Sequence, residues 1–268
     1  MKKHLQMTSR TRKQNYQLPS REEKADYVQR NFDEIAFRYD AFNDLATFGL
    51  HRRWKKTAVL SLISGRRDGL KILDLCCGSG DLTLLAARLL PINSEIQSLD
   101  FSENMLKILQ SRLKKREKLL TDRNIRSEIR QGDAQNLESI PDGSLDGVII
   151  GFGLRNLTDR KAALREIQRV LIPGCPLVVL DVGRVQSPFL AFFHRIFFEK
   201  ITPWIGRLLH GGKHEMYSYL PASARDYPDQ ESLKEELTGL GFRNVAYRNF
   251  MFGACAAHRA ETNPEPNA

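Results

Sequence analysis

Residues 71–81 read Lys-Ile-Leu-Asp-Leu-Cys-Cys-Gly-Ser-Gly-Asp. An apolar run ends on the acidic Asp74 and meets two glycines, Gly78 and Gly80, in a tight turn. A helical pattern (Leu82, Leu84, Leu85, Leu89, Leu90) follows at once. Strand, glycine turn and helix in that order form the first βα unit of a doubly wound sheet, where ligands lie at the carboxyl ends of the strands. A glycine there lets a second backbone or a ligand approach more closely than a Cβ would permit. Twenty residues beyond Gly80 a second strand, over 95–99, ends at Asp100, placed to accept hydrogen bonds from ribose hydroxyls. A third acidic strand end lies at Asp133. The pattern predicts a nucleoside site.

What the loop lacks narrows the nucleoside. A dinucleotide fingerprint needs Gly-x-Gly-x-x-Gly with the pyrophosphate on a helix N-terminus. Here Asp81 follows Gly80 and no third glycine comes; Leu82 and Thr83 run straight into the helix. A carboxylate at that helix start repels a pyrophosphate and suits a ligand bearing an amino group and a sulfonium. No Gly-x-x-x-x-Gly-Lys-[Ser/Thr] phosphate loop occurs in the chain. The expected cofactor is therefore S-adenosyl-L-methionine rather than NAD.

The 268 residues, 41% apolar and 27% charged, suffice for one full globular core with attachments. The four cysteines (Cys76, Cys77, Cys175, Cys255) show no CxxC pair and no metal-ligand spacing, which reads as reduced thiols in a cytosolic protein. Neither a signal-peptide core nor an 18-residue apolar run is present, so no membrane span is expected. The net charge of +9 is uneven. Lys2, Lys3, Arg10, Arg12, Lys13 and Arg21 crowd the first 21 residues without an acid, and a second basic cluster covers 112–118. Such runs serve as solvated tails and helix faces, or attract anionic lipid or nucleic acid; charge alone does not separate these.

The alternation continues downstream. Residues 104–118 pattern as one helix with Met105, Ile108, Leu109 and Leu113 on a face, and 126–130 as a short strand leading to Gly132-Asp133-Ala134. Residues 145–151 read as a buried strand, 160–171 as an amphipathic helix stopped by Pro173-Gly174, and 176–182 as the next strand. A helix over 230–240 and a strand pair, 243–248 and 252–258, close the chain. Strands alternating with helices predict a mainly parallel α/β sheet covered on both faces.

Four separated segments go further. Residues 31–44 (Asn-Phe-Asp-Glu-Ile-Ala-Phe-Arg-Tyr-Asp-Ala-Phe-Asn-Asp) with 51–55 (His-Arg-Arg-Trp-Lys) are the first, and 73–81 the second. Residues 150–159 (Ile-Gly-Phe-Gly-Leu-Arg-Asn-Leu-Thr-Asp) are the third, and 227–231 (Tyr-Pro-Asp-Gln-Glu) the fourth. Over about 26–260 they resemble, in the same order, the ubiquinone/menaquinone biosynthesis C-methyltransferase family. Asp181-Val-Gly-Arg, rather than a Glu-Phe-Ser-Lys type sequence, is similar to its demethylmenaquinone branch.

The resemblance implies a Rossmann-like class I S-adenosylmethionine-dependent methyltransferase fold, with a seven-stranded, mainly parallel sheet and helices on both faces. It also implies methyl transfer to a ring carbon of a prenylated naphthoquinol, demethylmenaquinol to menaquinol, with the benzoquinol of ubiquinone biosynthesis as the alternative. The acceptor is then lipophilic, and the protein is expected in the cytoplasm, peripheral on the inner face of the cytoplasmic membrane, with self-association left open. A quinol hydroxyl that behaves like a phenol of pKa about 10 is ionised in roughly a thousandth of molecules at pH 7, a deficit of about 4 kcal/mol. Holding donor and acceptor in line contributes roughly 7–11 kcal/mol. Positioning should dominate, with oxyanion stabilisation second.

Carried over motif by motif, Ser79, Asp100, Asp133 and Ala134 match cofactor-binding positions. Asp100 takes the ribose, Asp133 and the Ala134 N–H take the adenine, and Asp74, Gly78, Gly80 and Gly151 shape the methionine end. Arg155, with Asn156 beside it, is the catalytic candidate: expected above the methyl group, it holds a quinolate oxygen or polarises a water. The plainer reading has Arg155 capping a strand end or pairing with Asp159. Tyr39, Asn43, His51 and Trp54 are candidate substrate contacts in an N-terminal helical cap (21–66), with core packing of two helices as their alternative. Asp40 there is a candidate base. A segment at 188–227 opens with Phe189, Phe192, Phe193, Phe197, Phe198 and Trp204; it reads as an apolar doorway for a polyprenyl tail or as core. The basic tail (1–20) and 261–268 are expected to be disordered.

Two rivals are weighed. Amino-methylating nucleic-acid enzymes place an Asn/Asp-Pro-Pro-Tyr/Phe box after the fourth strand, where this chain has Gly-Phe-Gly-Leu-Arg-Asn. A non-catalytic binding module is disfavoured by the intact set of Asp74, Ser79, Asp100 and Asp133. No metal is expected: His214-Glu215 lacks the second histidine of HExxH, and Gly211-Gly212 breaks any helix joining His210 to His214.

Overall fold

The structure is a computed structural model that describes residues 19–65, 69–202, 204–206 and 216–264. The strands are β1 (Lys71–Leu75), β2 (Glu95–Asp100), β3 (Arg126–Gln131), β4 (Gly147–Gly151), β5 (Pro176–Val182), β6 (Arg243–Phe250) and β7 (Cys255–Glu261). They form one sheet in the order β3-β2-β1-β4-β5-β7-β6. The first five run parallel and β7 antiparallel to both β5 and β6. The strand order reverses between β1 and β4, which opens a crevice at their carboxyl ends.

The central strands are apolar on both faces because helices cover both. Side-chain alternation sends Leu73 and Leu75 of β1 to one core and Ile72 to the other. The first core is closed by α6 (Arg160–Val170) and α9 (Gln230–Gly239) through Leu164, Ile167, Leu233 and Leu237. The second is closed by α2 (His51–Leu62) and α3 (Asp81–Leu89) through Ala58, Val59, Leu62, Leu82 and Ala86. A Cβ on Gly147 of β4 would lie 3.0 Å from Leu62 Cδ1, so glycine there sets how closely α2 approaches the sheet. α2 therefore belongs to the methyltransferase layer and not to a detached cap.

Among the described residues α1 (Arg21–Thr47) acts as a cover. Ser20 starts it with a capping box, its hydroxyl accepting from the Glu23 N–H while the Glu23 carboxylate accepts from the Ser20 N–H. α1 ends where Phe48 and Gly49 adopt positive φ, and it packs on α4 (Glu103–Lys114). The predicted 104–118 helix breaks. Its apolar face ends at Leu113, a Lys114-Lys115-Arg116 run follows, and α5 (Glu117–Asp122) turns away so that Leu120 packs against the core under α3.

α7 (Pro188–Ile196) continues into a π-helical turn, Phe197–Ile201, and α8 (Met216–Asp226) follows. β7 starts later than predicted because Met251–Gly253 form a tight turn in which Phe252 (φ 59) and Gly253 (φ 102) are left-handed. It also extends to Glu261, with Thr262 buried behind it, so order continues past residue 260. The 1–18 portion of the basic tail, residues 207–215 of the 188–227 segment and residues 265–268 lie outside the described residues.

Candidate functional site

A cavity of about 290 Å³ opens at the carboxyl ends of β1, β2 and β4 beneath α1. Its lining combines four carboxylates, Asp74, Asp81, Asp100 and Asp133, with apolar Val28 and Phe32 of α1, Phe101, Met105, Phe152 and Leu157.

The glycine turn positions the carboxylates. Cys76 (φ 57), Gly78 (φ 54) and Gly80 (φ 87) are all left-handed, which folds the chain back sharply after β1. The turn is pinned to β2 by Gly78, whose N–H donates to Asp100 Oδ2 at 2.8 Å; Asp100 Oδ1 accepts from the Ser102 N–H at 2.9 Å. Burial pushes the Asp100 carboxyl up, and the backbone donors of Ser102 and Gly78 oppose that. A Cβ on Gly78 would meet nothing within 4 Å, so its open side faces the cavity. Gly80 serves packing instead, since a Cβ there would lie 2.2 Å from Leu109 Cδ1 of α4. It does not line the cavity. Ala134 likewise sits in the hydrophobic core, whereas Asp133, Ser79 and Gly151 line the cavity.

Asp74 carries the most unusual electrostatics. Its Oδ2 accepts from Thr83 Oγ1 at 2.6 Å, while Oδ1 is buried without a partner. Burial raises its pKa to about 7, and Thr83 only partly offsets this. A buried acceptor left empty costs about 1–3 kcal/mol, more when charged. An ammonium group entering the cavity would satisfy it. This orphaned oxygen, the open face of Gly78 and the carboxylates of Asp100 and Asp133 fit a ligand with an amino-acid end and a nucleoside end. S-adenosylmethionine has that form.

Asp81 is not the bare carboxylate that the sequence suggested. Lys55 Nζ of α2 and Arg112 Nη2 of α4 each bond it at 2.7 Å. Burial would raise its pKa, but Lys55 and then Arg112 outweigh that and hold it at about 2. Its charge is compensated inside the protein, so the missing third glycine bears more of the case against a pyrophosphate. Arg112 also reaches Asp40 Oδ2 at 2.8 Å, and Ser79 Oγ donates to Asp40 Oδ1 at 2.9 Å. Asp40 lines the cavity, and the contacts to its two oxygens clamp α1 onto the glycine turn.

Arg155 differs most from expectation. Its Nη1 bonds Asp181 Oδ1 at 2.5 Å and the Phe152 carbonyl at 2.8 Å, and its backbone N–H donates to Asp181 Oδ2. The pair is buried, with side chains 5% and 2% exposed. Arg155 lines a smaller hollow behind the 154–158 turn and not the main cavity. Its guanidinium is thus anchored to Asp181 at the end of β5. Asn156 does line the cavity. Its amide is held between the Phe152 carbonyl (3.2 Å) and the hydroxyl of buried Tyr219 (3.2 Å).

The cap candidates do not converge on the cavity. His51 is buried, bonds Asp44 at 2.8 Å through Nε2, and burial lowers its pKa. Trp54 stacks on Phe250 at 6.0 Å, and the Asn43 carbonyl accepts from Thr47; none of the three is part of the lining. The Tyr39 side chain lies outside the described residues. Sequence reasoning missed Lys55, Arg112 and the apolar contacts of α1. Arg112 stood in a basic cluster that read as a solvated helix face, and Lys55 closed a motif in which only His51 and Trp54 were singled out; their shared partner Asp81 shows only in the folded chain.

A parallel sheet reversed at β1/β4, an added antiparallel hairpin and an acid-rimmed nucleoside cavity with no phosphate loop together define a class I S-adenosylmethionine-dependent methyltransferase. Solved structures share the fold. A Haemonchus contortus phosphoethanolamine N-methyltransferase 2 in complex with S-adenosyl-L-methionine aligns with TM-score 0.61 at 15% identity, over 90% of this chain and 60% of that one. A putative methyltransferase complexed with the Haloferax volcanii Trm112 activator aligns with TM-score 0.59 at 15% identity, over 90% and 100%. The model of the ubiE/COQ5 methyltransferase family matches residues 20–262, and the chain belongs to that family. A demethylmenaquinone methyltransferase of Leptospira interrogans is 42% identical over 93% of this chain and 98% of its own. A ubiquinone/menaquinone biosynthesis C-methyltransferase UbiE of Shewanella oneidensis is 37% identical over 91% and 94%.

Proposed function

We propose that the protein methylates a ring carbon of a prenylated naphthoquinol, converting demethylmenaquinol to menaquinol. The observation that carries this reading is a single cavity whose lining joins carboxylates suited to a sulfonium nucleoside with apolar side chains suited to a flat, greasy ring. The name of the Leptospira relative supports the naphthoquinol over the benzoquinol. The bound cofactor supplies an electrophilic methyl group on a positively charged sulfur. Asp74 Oδ1 holds the amino group, Asp100 the ribose hydroxyls and Asp133 the adenine amino group. Val28, Phe32, Phe152 and Leu157 exclude water from the acceptor ring and fix its plane, and Asn156 donates to its oxygen. Arg155 acts through Asp181, setting the turn that carries Asn156; it is a positioning residue.

The acceptor lives in a bilayer, and no helix among the described residues is long and apolar enough to cross one. The protein in this reading docks on the cytoplasmic face. Phe189, Phe192 and Phe193 on α7 are 71%, 51% and 54% exposed and contact one another edge to face. Phe48, at the end of α1, meets Phe197 just beyond them. An apolar helix face of this kind lies in the headgroup boundary. The experiment is quinone mass analysis of cells lacking the protein. The reading expects a naphthoquinone one CH₂ lighter than normal; an unchanged quinone pool contradicts it, and a light benzoquinone moves the assignment to ubiquinone.

A further inference from the structure

We propose that the hollow behind the catalytic turn is a second ligand site, for a small oxyanion or carboxylate. It measures about 250 Å³ and is lined by Lys24, Arg155, Arg160, Ser223 and Tyr227, with exposed Asp226 among the lining residues. Lys24 Nζ donates to the carbonyls of Arg155 (3.1 Å) and Leu157 (2.9 Å), which leaves a third N–H; the Asp226 carboxylate acts on its charge without a direct hydrogen bond. Arg160 gives Nε and Nη2 to Glu236 and keeps Nη1, while its guanidinium lies 5.7 Å from the centre of the Tyr227 ring. The Tyr227 hydroxyl is buried without a partner although the residue lines the hollow.

Three spare donors, two of them cationic, around one hollow suit an anion with several acceptor oxygens. Asp226 prevents a purely cationic lining and favours a ligand small enough to leave it in solvent. The site shares Thr158 with the main cavity, and Lys24 already grips the carbonyls flanking Asn156. An occupant would brace the turn from behind without touching the nucleoside.

The test is calorimetric titration of the full chain with inorganic phosphate and, separately, acetate, at constant ionic strength, with saturating S-adenosylmethionine present. A saturable heat with either anion is expected, and which one binds tells oxyanion from carboxylate. Lys24→Met should weaken it about tenfold or more, and Tyr227→Phe about fivefold, the ordinary worth of a charged and a neutral hydrogen bond. Tyr227→Phe removes a single oxygen and leaves the ring under Arg160, so it keeps the test valid where Lys24→Met loosens α1. No saturable heat with either anion, or the same affinity in Tyr227→Phe, would show a hydrated hollow and overturn the proposal. Heat seen only without the nucleoside would place the anion in the main cavity and overturn it equally.

Discussion

Replacing Asp74 with asparagine should make the cofactor-free protein more stable at alkaline pH while weakening the cofactor. The folded carboxyl titrates at about 7 against an ordinary value of 3.8, because it is buried and one oxygen has no partner. The folded state therefore holds a proton between about pH 4 and 7 that the unfolded chain has lost, and stability falls as pH rises through that window. A displacement of about three units at about 1.4 kcal/mol each puts the full penalty near 4 kcal/mol above pH 7, fading to nothing below pH 4. Asparagine keeps an acceptor for Thr83 and carries no charge. Urea unfolding of both proteins from pH 4.5 to 8.5, without cofactor, should show the variant's advantage growing with pH toward that figure, flat above about 7. Calorimetry should show that the parent releases a proton on binding S-adenosylmethionine below pH 7, and that the variant binds it more weakly. A stability difference independent of pH, or a variant less stable at pH 8, would refute the reasoning.

Arg155→Ala should destabilise the protein by about 3–5 kcal/mol by stranding buried Asp181, whereas Arg155→Met with Asp181→Leu should recover much of that loss; urea midpoints of the three variants decide this. At permissive temperature the double variant should lose kcat more than cofactor affinity, since it acts on the turn that positions Asn156. Gly80→Ala forces a Cβ to 2.2 Å from Leu109 at φ +87, and thermal unfolding should register a loss of about 1–3 kcal/mol. Phe192→Asp on the exposed face of α7 should change stability by less than about 0.5 kcal/mol yet reduce pelleting with anionic vesicles. Unchanged pelleting would remove α7 from the membrane reading.

The parallel core was legible because buried strands and amphipathic helices write their periods into the chain, and the strand ends at Asp74, Asp100 and Asp133 fell where the cavity is. The sequence could not show which partner each charged side chain takes. Arg155 stands in a distinctive motif, but whether its guanidinium enters the cavity or turns back to β5 depends on Asp181, 26 residues away. Arg112 read as surface charge, yet it meets Lys55 of α2 on Asp81 and ties Asp40 of α1 to the glycine turn. His51 and Trp54 sit beside the site in sequence, but the pitch of α2 turns them toward Asp44 and Phe250. Gly80 and Gly78 look alike in the motif, and only the presence of Leu109 on one side tells packing from ligand approach.

The central claim is that the acid-rimmed cavity delivers a methyl group from a sulfonium nucleoside to a naphthoquinol ring held by its apolar side chains. Purified protein incubated with S-adenosylmethionine and reduced demethylmenaquinone should yield, by mass spectrometry, a quinone heavier by one CH₂, with the added mass on the ring fragment. A protein that binds S-adenosylmethionine but leaves both the naphthoquinol and its benzoquinol counterpart unmethylated would contradict it.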